Sequence, residues 1–524
     1  MKRKTSSMAD DFLFWNRRHF LGAMPILTMW SSTAGAALAP ADVQRFTPEQ
    51  FGAKGDGRKN DTAAFAALSK AIERAGGGFV QLRNKAVYIV GEQRPGGGYF
   101  RSGADILSVK NIHNFIVDMN QAVMRMAPGL LFGGFEQISG RAAKKIGLDQ
   151  AMSAHQGILI RAQNVSYVHI FNGELDGNGS RALVGGPWGD TGRQCISYGI
   201  HIYGCSNVTL EDLNIHNFPL DAVAIGYTGL RDRAPLRPVS MKRCHLHQCG
   251  RNCLSLTGSN AFHAENSIFE DSGNCPNPNV PDGRIRSAPA ACVDIEAENA
   301  VNRNSRFTGC KFIAGRHSMT AFVADSGDTA GIYLKNCLID GKFWSRKAGT
   351  ILDGCEVKGT LSVLSGSHPR QQDNSRILNC KGTDISTYQS SGGKGSYFID
   401  CMGSGKDIVI DGCDFTLNRT RINLRYAIVS NSIFRFAMDS RYLENRQFIA
   451  LLDAARMNNV TFYDYLPATG PYRLPKDEGY FITTSGMNGT NVRIMGHDRF
   501  TLKWNDWQAP GWPNAKRQDG SFSR

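Results

Sequence analysis

A short strand pattern that returns along the chain limits the possible folds most. Five segments carry an apolar pair at alternate positions, and the first residues of successive pairs are 42, 23, 31 and 39 residues apart. One turn of a solenoid of parallel strands takes about 20–25 residues, so 23 is a bare turn and the longer intervals include loops. The repeat predicts one elongated coil with its apolar pairs turned inward. The pairs are Ile158/Ile160, Ile200/Ile202, Val223/Ile225, Leu254/Leu256 and Val293/Ile295.

Composition agrees with this all-β prediction. Of the 524 residues, 41% are apolar, 20% are charged and 57 are glycine, which excludes a disordered chain and a protein with many membrane spans. We predict the coil over residues 100–460. A cap with one short helix and the first strands precedes it over residues 40–99. A capping tail that contains Trp504, Trp507 and Trp512 follows over residues 461–524.

The N-terminus has the parts of an export signal. Arg17 and Arg18 precede a short apolar stretch, Ala23 to Trp30, and small residues follow up to Ala39. The apolar stretch is well below the about 20 residues that cross a bilayer. Paired arginines before Phe-Leu resemble a twin-arginine signal. We therefore expect the twin-arginine translocase to export the chain to the periplasm or the extracellular medium. We expect no stable membrane span.

The charge of the chain predicts an anionic partner. The formal net charge is +14, and loss of residues 1–39, with five basic and two acidic residues, leaves +11. Such a balance attracts polyanions in general. Export argues against a nucleic acid and favours an anionic polysaccharide.

Thirteen cysteines are too sparse in so long a chain for a disulfide scaffold. Five of them follow Gly or Asn in one strand context, which predicts small buried residues that stack on each other. The alternative for Cys249 and Cys253, which are close in the sequence, is one local disulfide between them. The five are Cys310, Cys337, Cys355, Cys380 and Cys413.

The region over residues 49–91 has a recognisable order of elements. The segment FGAKGDG at 51–57 is followed by Asn60-Asp61-Thr62, an Ala-rich helix to about Ala75, three glycines and strands at 79–82 and 87–90. This order resembles the start of secreted pectate-lyase-like right-handed β-helix proteins. That superfamily includes rhamnogalacturonases, polysaccharide lyases, uronan epimerases and phage tailspike depolymerases. The resemblance implies a right-handed parallel β-helix that acts on a polysaccharide, although Arg83 replaces the usual proline.

Strand alternation places two columns of side chains on the outside of the coil. Arg161, His201, Tyr203, Asp294 and Glu296 share that face, and we predict that it forms a glycan-binding groove. We assign substrate binding to the first three and to Arg284 of a basic loop. A solvated polar surface is the alternative interpretation. The columns are Leu159, His201, Ala224, Ser255, Asp294 and Arg161, Tyr203, Gly226, Thr257, Glu296.

Two further segments bear on the reaction. Polygalacturonase-type hydrolases carry N-T-D-G-[ILV]-D and D-D-C motifs, but here residues 217–223 match the first only through Asp221. Arg251-Asn252-Cys253 stands where the paired aspartates would be. Residues 250–255 and 293–296 look instead like the G-R-N-G-I-S and G-I-D-I-E-P segments of a less characterised branch. Inverting hydrolysis needs two carboxyl groups, which Asp221 with Asp294 or Glu296 would supply.

An arginine at position 251 fits a different reaction. β-Elimination from a uronate needs its carboxylate neutralised and its C5 proton removed, and Arg251 is a candidate for either role. We therefore assign Asp221, Arg251, Asp294 and Glu296 as catalytic and favour a lyase narrowly over a hydrolase. A C5 epimerase comes third, and a non-catalytic glycan-binding β-helix is the alternative. Calcium is left open as a cofactor, since Asp221, Asp294 and Glu296 offer three oxygen ligands.

Overall fold

The computed structural model describes residues 43–189, 191–347, 349–363, 375–388, 397–401, 408–437, 448–464, 480–483, 487–495 and 500–502. The predicted export signal over residues 1–39 lies outside these ranges. So do the three tryptophans of the predicted tail. Within the ranges, no helix has both the length and the apolar composition of a membrane span.

Short strands make up nearly all of the regular structure. The first part of the chain contains β1 Arg45–Phe46, β2 Asp56–Asn60, α1 Thr62–Arg74, β3 Gly77–Gln81, β4 Val87–Val90, β5 Gln93–Gly96, β6 Tyr99–Gly103, β7 Leu107–Lys110, β8 Asn114–Asp118, β9 Val123–Met126, β10 Leu131–Gly134, β11 Ser153–Ala154, β12 Gly157–Gln163, β13 Tyr167–Asp176 and β14 Leu183–Val184. Short 3-10 helices lie at Pro48–Phe51, Gln150–Met152 and Gly179–Arg181.

The central part contains β15 Ser197–Tyr203, β16 Val208–His216, β17 Asp221–Gly226, β18 Val239–Lys242, β19 His245–His247, β20 Leu254–Leu256, β21 Phe262–Glu265, β22 Ile268–Glu270, β23 Cys275–Pro276, β24 Arg284–Ile285, β25 Ala291–Ile295, β26 Val301–Thr308, β27 Lys311–Ile313, β28 Thr320–Ala324, β29 Asp328–Lys335 and β30 Leu338–Ser345.

The last part contains β31 Ile351–Asp353, β32 Glu356–Val363, β33 Arg376–Leu378, β34 Lys381–Thr383, β35 Tyr397–Asp400, β36 Val409–Asp411, β37 Asp414–Leu417, β38 Arg421–Asn423, β39 Ile428–Phe436, β40 Phe448–Leu451, β41 Arg456–Asp464, β42 Tyr480–Thr483, β43 Asn488–Met495 and β44 Phe500–Leu502.

Parallel pairing between successive turns makes a three-sided coil. The first ladder, which carries the candidate site, runs through β7, β12, β15, β17, β20, β25, β28, β30, β32, β35, β38 and β40. Two other ladders run beside it, one beginning with β1, β3 and β8 and the other with β2, β4 and β9. Long strands such as β30 turn a corner and belong to two ladders. Stacked turns satisfy each other's backbone hydrogen bonds and enclose one continuous apolar core.

The ladders extend beyond the predicted span of 100–460 on both sides. Strands β3 and β4 pair with β8 and β9, so the first strands of the predicted cap are already part of the coil. At the other end β42 pairs with β40 and with β44, and β43 pairs with β41. The strands of the cap were predicted, whereas the turns after residue 460 were not, because the later apolar pairs are irregularly spaced.

The N-terminal motif is a loop held by one carboxylate. Helix α1 begins at Thr62, as predicted, and Asp61 occupies its N-cap position. The Asp61 carboxylate accepts hydrogen bonds from the backbone amides of Lys54 (2.8 Å) and Gly55 (2.9 Å) instead of from the helix. Asn60 Oδ1 accepts from the amide of Thr62 at 3.0 Å and so caps α1.

The stacked cysteines are confirmed. The thiol of Cys337 contacts those of Cys310 and Cys355, and the thiol of Cys380 contacts those of Cys355 and Cys413. All thirteen cysteines are buried and free. The disulfide left open for Cys249 and Cys253 is therefore absent, and these residues serve as small core residues.

Each stacked cysteine follows a left-handed corner, which explains why Gly or Asn precedes it. Gly309, Gly354 and Gly412 have φ between 62° and 66°, and Asn336 and Asn379 have φ of 52°. A Cβ at Gly354 would lie 2.5 Å from Oδ1 of Asn336 on the preceding turn. Glycine and asparagine are the residues that tolerate this backbone conformation best.

Candidate active site

The candidate site lies on the outward side of the first ladder, where β17, β20 and β25 are neighbours. Ser255 pairs with Ala224 on one side and with Asp294 on the other. Val293 and Ile295, which flank Asp294, are both in the core. Asp294 therefore projects away from the core, as predicted, yet its exposed fraction is only 8%. The predicted outward position is correct, but the side chain is largely covered by its neighbours.

Asp221 and Arg251 form a bidentate ion pair at the floor of the site. Arg251 Nε donates to Asp221 Oδ1 at 2.8 Å, and Nη2 donates to Oδ2 at 2.5 Å. The Asp221 side chain is fully buried, whereas the Arg251 side chain is 21% exposed. The amide of Asn252 (3.0 Å) and Oγ of Ser255 (2.9 Å) also donate to the same carboxylate. Four donors thus occupy Asp221, and it holds Arg251 in place.

This ion pair keeps Arg251 protonated. Burial opposes the charge of the guanidinium, but the attraction of Asp221 and its hydrogen bonds outweigh burial and raise the pKa of Arg251 above its usual value. An arginine in this state does not act as a base. Of the two roles left open for Arg251, the structure favours that of a fixed positive charge.

Asn252 connects the ion pair to Asp294. Its Nδ2 donates to Asp294 Oδ2 and to Ser255 Oγ, both at 3.0 Å, and its Oδ1 accepts from the amide of Ala291 at 3.0 Å. Asn252 is fully buried, so every one of these groups needs a partner. The network orients Asp294 relative to Arg251.

The environment of Asp294 raises its pKa to about 7. Burial is the main cause, and the charge of Glu296 adds to it, while Arg251 and the hydrogen bond from Asn252 act in the opposite direction. Both the protonated and the ionised form are therefore populated near neutral pH. A carboxyl group in this state suits proton transfer.

Glu296 supplies a second carboxylate two residues further along. It is exposed and accepts a hydrogen bond from Ser326 Oγ at 2.5 Å. Glu296 directly follows Ile295, the last residue of β25, and it is close enough for its charge to raise the pKa of Asp294. Burial and the charge of Glu296 also raise the pKa of Glu298. The site thus has a covered carboxyl group beside an accessible acidic rim.

The register at β12 differs from the prediction. Arg161 pairs with His201, and Gln163 pairs with Tyr203, whereas the predicted columns placed Arg161 beside Tyr203. Leu159, predicted to face outward, is buried in the core. Three consecutive apolar residues at 158–160 leave the choice of the inward pair ambiguous, and the pair that stacks on Ile200 and Ile202 is Ile160 with Ala162, two residues after the predicted pair.

Arg161 and His201 lie on the column that leads to Asp294. Arg161 Nη1 binds Asp105 Oδ2 at 2.8 Å. His201 lies between Tyr198 and Tyr203, with ring centroids 5.6 and 5.9 Å away. Burial and the charge of Arg161 lower the pKa of His201 to about 4, so it is neutral at physiological pH. These residues make a polar and aromatic continuation of the site.

The remaining predicted binding residues are Tyr203, which pairs with Gly226 as in the second predicted column, and Arg284. The hydroxyl of Tyr203 bonds to Thr228, and Tyr203 lines a cavity of about 270 Å³ with Tyr227 and Arg237. Arg284 lies on the β23–β24 hairpin. Burial lowers the pKa of His317 and the charge of Arg284 adds to this effect, while its role in substrate binding stays a prediction.

The three acidic residues offered as calcium ligands do not fit that role. Four donors already occupy Asp221, Asn252 binds Asp294, and only Glu296 presents an accessible carboxylate. Calcium takes about six to eight oxygen ligands. Among the described residues, no group of three or more His, Cys, Asp or Glu could hold a metal ion.

The sequence assigned no site role to three members of the network, Tyr198, Asn252 and Ser255, although Ser255 was placed in an outward column. Tyr198 pairs with Asp221, and burial raises its pKa to about 12 while the nearby Arg251 opposes this. Asn252 and Ser255 stand in the same segment as Arg251. The signal that could have found them is the run of polar residues immediately before and within an otherwise buried strand.

The comparisons with known proteins concern the coil. Residues 156–360 match the family model described as "Right handed beta helix region". The chain folds as a right-handed parallel β-helix. The site described above lies inside the matched part of this β-helix.

One curated relative, the uncharacterized protein YclG of Bacillus subtilis (strain 168), is 30% identical over 118 residues. That match covers 21% of this chain and 20% of the relative, so this chain spans about a fifth of its length.

Several solved structures have a backbone fold similar to that of this chain. The N-terminal fragment of bacteriophage phi29 gene product 12 is 14% identical, with a TM-score of 0.45 over 87% of this chain and 68% of that chain. A tailspike protein of E. coli bacteriophage HK620, in complex with a pentasaccharide, is 12% identical, with a TM-score of 0.39 and coverage of 86% and 80%. The A-module of the Azotobacter vinelandii mannuronan C-5 epimerase AlgE6 is 15% identical, with a TM-score of 0.33 and coverage of 90% and 98%. These likenesses do not bear on the reaction of this β-helix.

Proposed function

We propose that this protein is an exported enzyme that hydrolyses an acidic polysaccharide, with Asp294 as the proton donor. The observation that carries the proposal is the covered Asp294 carboxyl group, with a pKa of about 7, beside the accessible carboxylate of Glu296. Glycoside hydrolysis needs one protonated and one ionised carboxyl group across the scissile bond. The high positive charge of the chain supports an anionic substrate.

In the proposed reaction, the Asp294 carboxyl group protonates the glycosidic oxygen as the bond from that oxygen to the anomeric carbon breaks. A water molecule adds to the anomeric carbon and gives its proton to Glu296. One reducing end and one hydroxyl group form, and proton exchange with solvent restores both carboxyl groups. Arg251 contributes a fixed positive charge toward a uronate carboxylate, while Asp221, Asn252 and Ser255 are positioning residues.

β-Elimination, which the sequence analysis favoured narrowly, becomes the second candidate. Arg251 supports it, because a guanidinium held beside Asp294 is suited to neutralise a uronate carboxylate. Ionised Asp294 would then remove the C5 proton, and the glycosidic oxygen would leave. The bidentate pairing of Arg251 with Asp221 argues against the arginine as the base. C5 epimerisation and glycan binding without catalysis are the remaining outcomes of the test.

The test is incubation of the mature chain, from residue 40, with polygalacturonate, alginate and glucuronan. Hydrolysis releases reducing ends without ultraviolet absorbance, whereas elimination produces both reducing ends and the absorbance of unsaturated uronates. Epimerisation changes the NMR spectrum of the polymer without cleavage. Asp294→Asn should abolish product formation, and Asp212→Asn, a change to a carboxylate outside the site, should not. Unchanged activity of Asp294→Asn would overturn the assignment.

A further inference from the structure

The face that carries Asp294 continues across the next turns of the β-helix. Asp294 pairs with Val323, and Val323 pairs with Trp344. Phe343 and Ser345 on either side of Trp344 are fully buried, so the indole projects outward and is partly exposed. Neighbouring strands are about 4.8 Å apart, which puts Trp344 about 10 Å from Asp294 along the coil. A chain of a few sugars that lies across the strands would reach both residues.

Two cations flank this indole on its own strand and on the loop that follows. Lys342 Nζ lies 3.4 Å from the ring centroid of Trp344, and the guanidinium carbon of Arg346 lies 4.9 Å from it. Burial, together with the charge of Arg346, lowers the pKa of Lys342. Contact with the ring holds both cations on the outward face of the first ladder.

No carboxylate among the described residues is close enough to pair with either cation. In the part of the chain that the structure describes, Lys342 and Arg346 form no ion pair within 4.0 Å, although the charge of Asp325 acts on Lys342. The indole Nε1 of Trp344 is also buried without a hydrogen-bond partner. Two positive charges on an aromatic ring, on the same outward face as Asp294, are suited to bind an anionic sugar.

We infer that Lys342, Trp344 and Arg346 form a uronate-binding subsite for the polysaccharide that reacts at Asp294. This inference rests on the proposed function for the identity of the substrate. Lys342 and Arg346 bind the sugar carboxylate, and Trp344 keeps the two cations in place. The subsite lies two strands beyond Asp294, so it contacts a sugar remote from the scissile bond. It should therefore contribute to binding more than to turnover.

The test measures binding separately from catalysis. Affinity for polygalacturonate and alginate is measured by calorimetry in an Asp294→Asn background, with uncharged dextran as the control polymer. The double variant Lys342→Ala/Arg346→Ala should bind the cognate polyuronate about tenfold more weakly. The matched control Lys311→Ala/Lys335→Ala removes two exposed lysines from other faces and should bind as the background does. Added salt should weaken binding and reduce the difference between the two variants.

Kinetics in the otherwise native chain give a second measurement. The double variant should have a higher KM than the native chain for long oligouronates, with little change in kcat. For substrates too short to reach Trp344, KM and kcat should both equal those of the native chain. Trp344→Phe keeps a ring for the cations and should lie between the native chain and the double variant. Equal binding by the double variant and its control overturns the subsite. If the double variant binds more weakly but the native chain forms no product, the subsite is supported and the proposed reaction fails.

Discussion

Asn252 Nδ2 donates a hydrogen bond to Asp294 Oδ2 over 3.0 Å, and this contact joins the buried ion pair of the site to the carboxyl group whose pKa is raised to about 7. The two residues are 42 apart in the sequence and lie on successive turns. The backbone amide of Asn252 also donates a hydrogen bond to the carboxylate of Asp221. A substitution of Arg251 or Asp221 should therefore alter the orientation of Asp294, because the side chain of Asn252 connects them.

The pH dependence of activity should identify the role of Asp294. A proton donor with a pKa of about 7 loses its proton as the pH rises, so kcat should fall above pH 7 if the reaction is hydrolysis. Asp294→Asn should lower kcat by about a hundredfold or more, the scale of a positioned acid. The measurement is kcat from pH 5 to pH 9 on the substrate found in the panel. Activity that rises through pH 7 would instead show that ionised Asp294 acts as the base of an elimination.

The same carboxyl group should reduce stability at alkaline pH. The native pKa of Asp294 lies above that of an unfolded aspartate, so the native state binds more protons between about pH 4 and pH 7. Its contribution to the free energy of unfolding is largest below pH 4 and is lost as the pH rises through 7. Asp294→Asn removes this titration and should unfold at higher urea than the native chain at pH 8. At pH 4, as the control, the urea midpoints of Asp294→Asn and the native chain should differ less than at pH 8. An equal difference between the two midpoints at both pH values would contradict the raised pKa.

Arg251→Ala should destabilise the fold as well as the site. Because Asp221 is fully buried, the change leaves an uncompensated charge, and breaking such a pair costs about 3–5 kcal/mol. Urea denaturation of Arg251→Ala would measure the loss. Asp221→Asn in the same chain removes the stranded charge and should restore part of the free energy of unfolding. Equal stabilities of the native chain and Arg251→Ala would contradict the strength of the ion pair.

Export should depend on the paired arginines. We expect Arg17→Lys/Arg18→Lys to leave the protein in the cytoplasm with residues 1–39 attached, because twin-arginine signals are read through both residues. Immunoblots of cytoplasmic and exported fractions would measure this. A change of Lys2 and Lys4 to arginine keeps the charge and should leave export unchanged. Normal processing in a strain without the twin-arginine translocase would refute the signal.

Several features of the site were within reach of the sequence. The apolar pairs from Val223 to Ile295 predicted which side chains enter the core, because alternation along a strand has a period of two. The outward direction of Asp294 followed from the same pattern. The ion pair of Arg251 did not follow from that pattern. Its bidentate bond to Asp221 joins two turns and left no trace in local pattern.

Local order along the chain determined the kind of fold, whereas stacking of distant turns decided the site. Apolar alternation, the Gly-Cys and Asn-Cys corners and the N-terminal motif depend on contacts within a strand or between equivalent positions, so the sequence by itself predicts a parallel coil. The burial of Asp221, the pKa of Asp294 and the position of Trp344 depend on which residues of separate turns become neighbours. Loops of differing length set that register, as the misplacement of Arg161 shows. Burial and charge act through space, so only the tertiary structure could decide them.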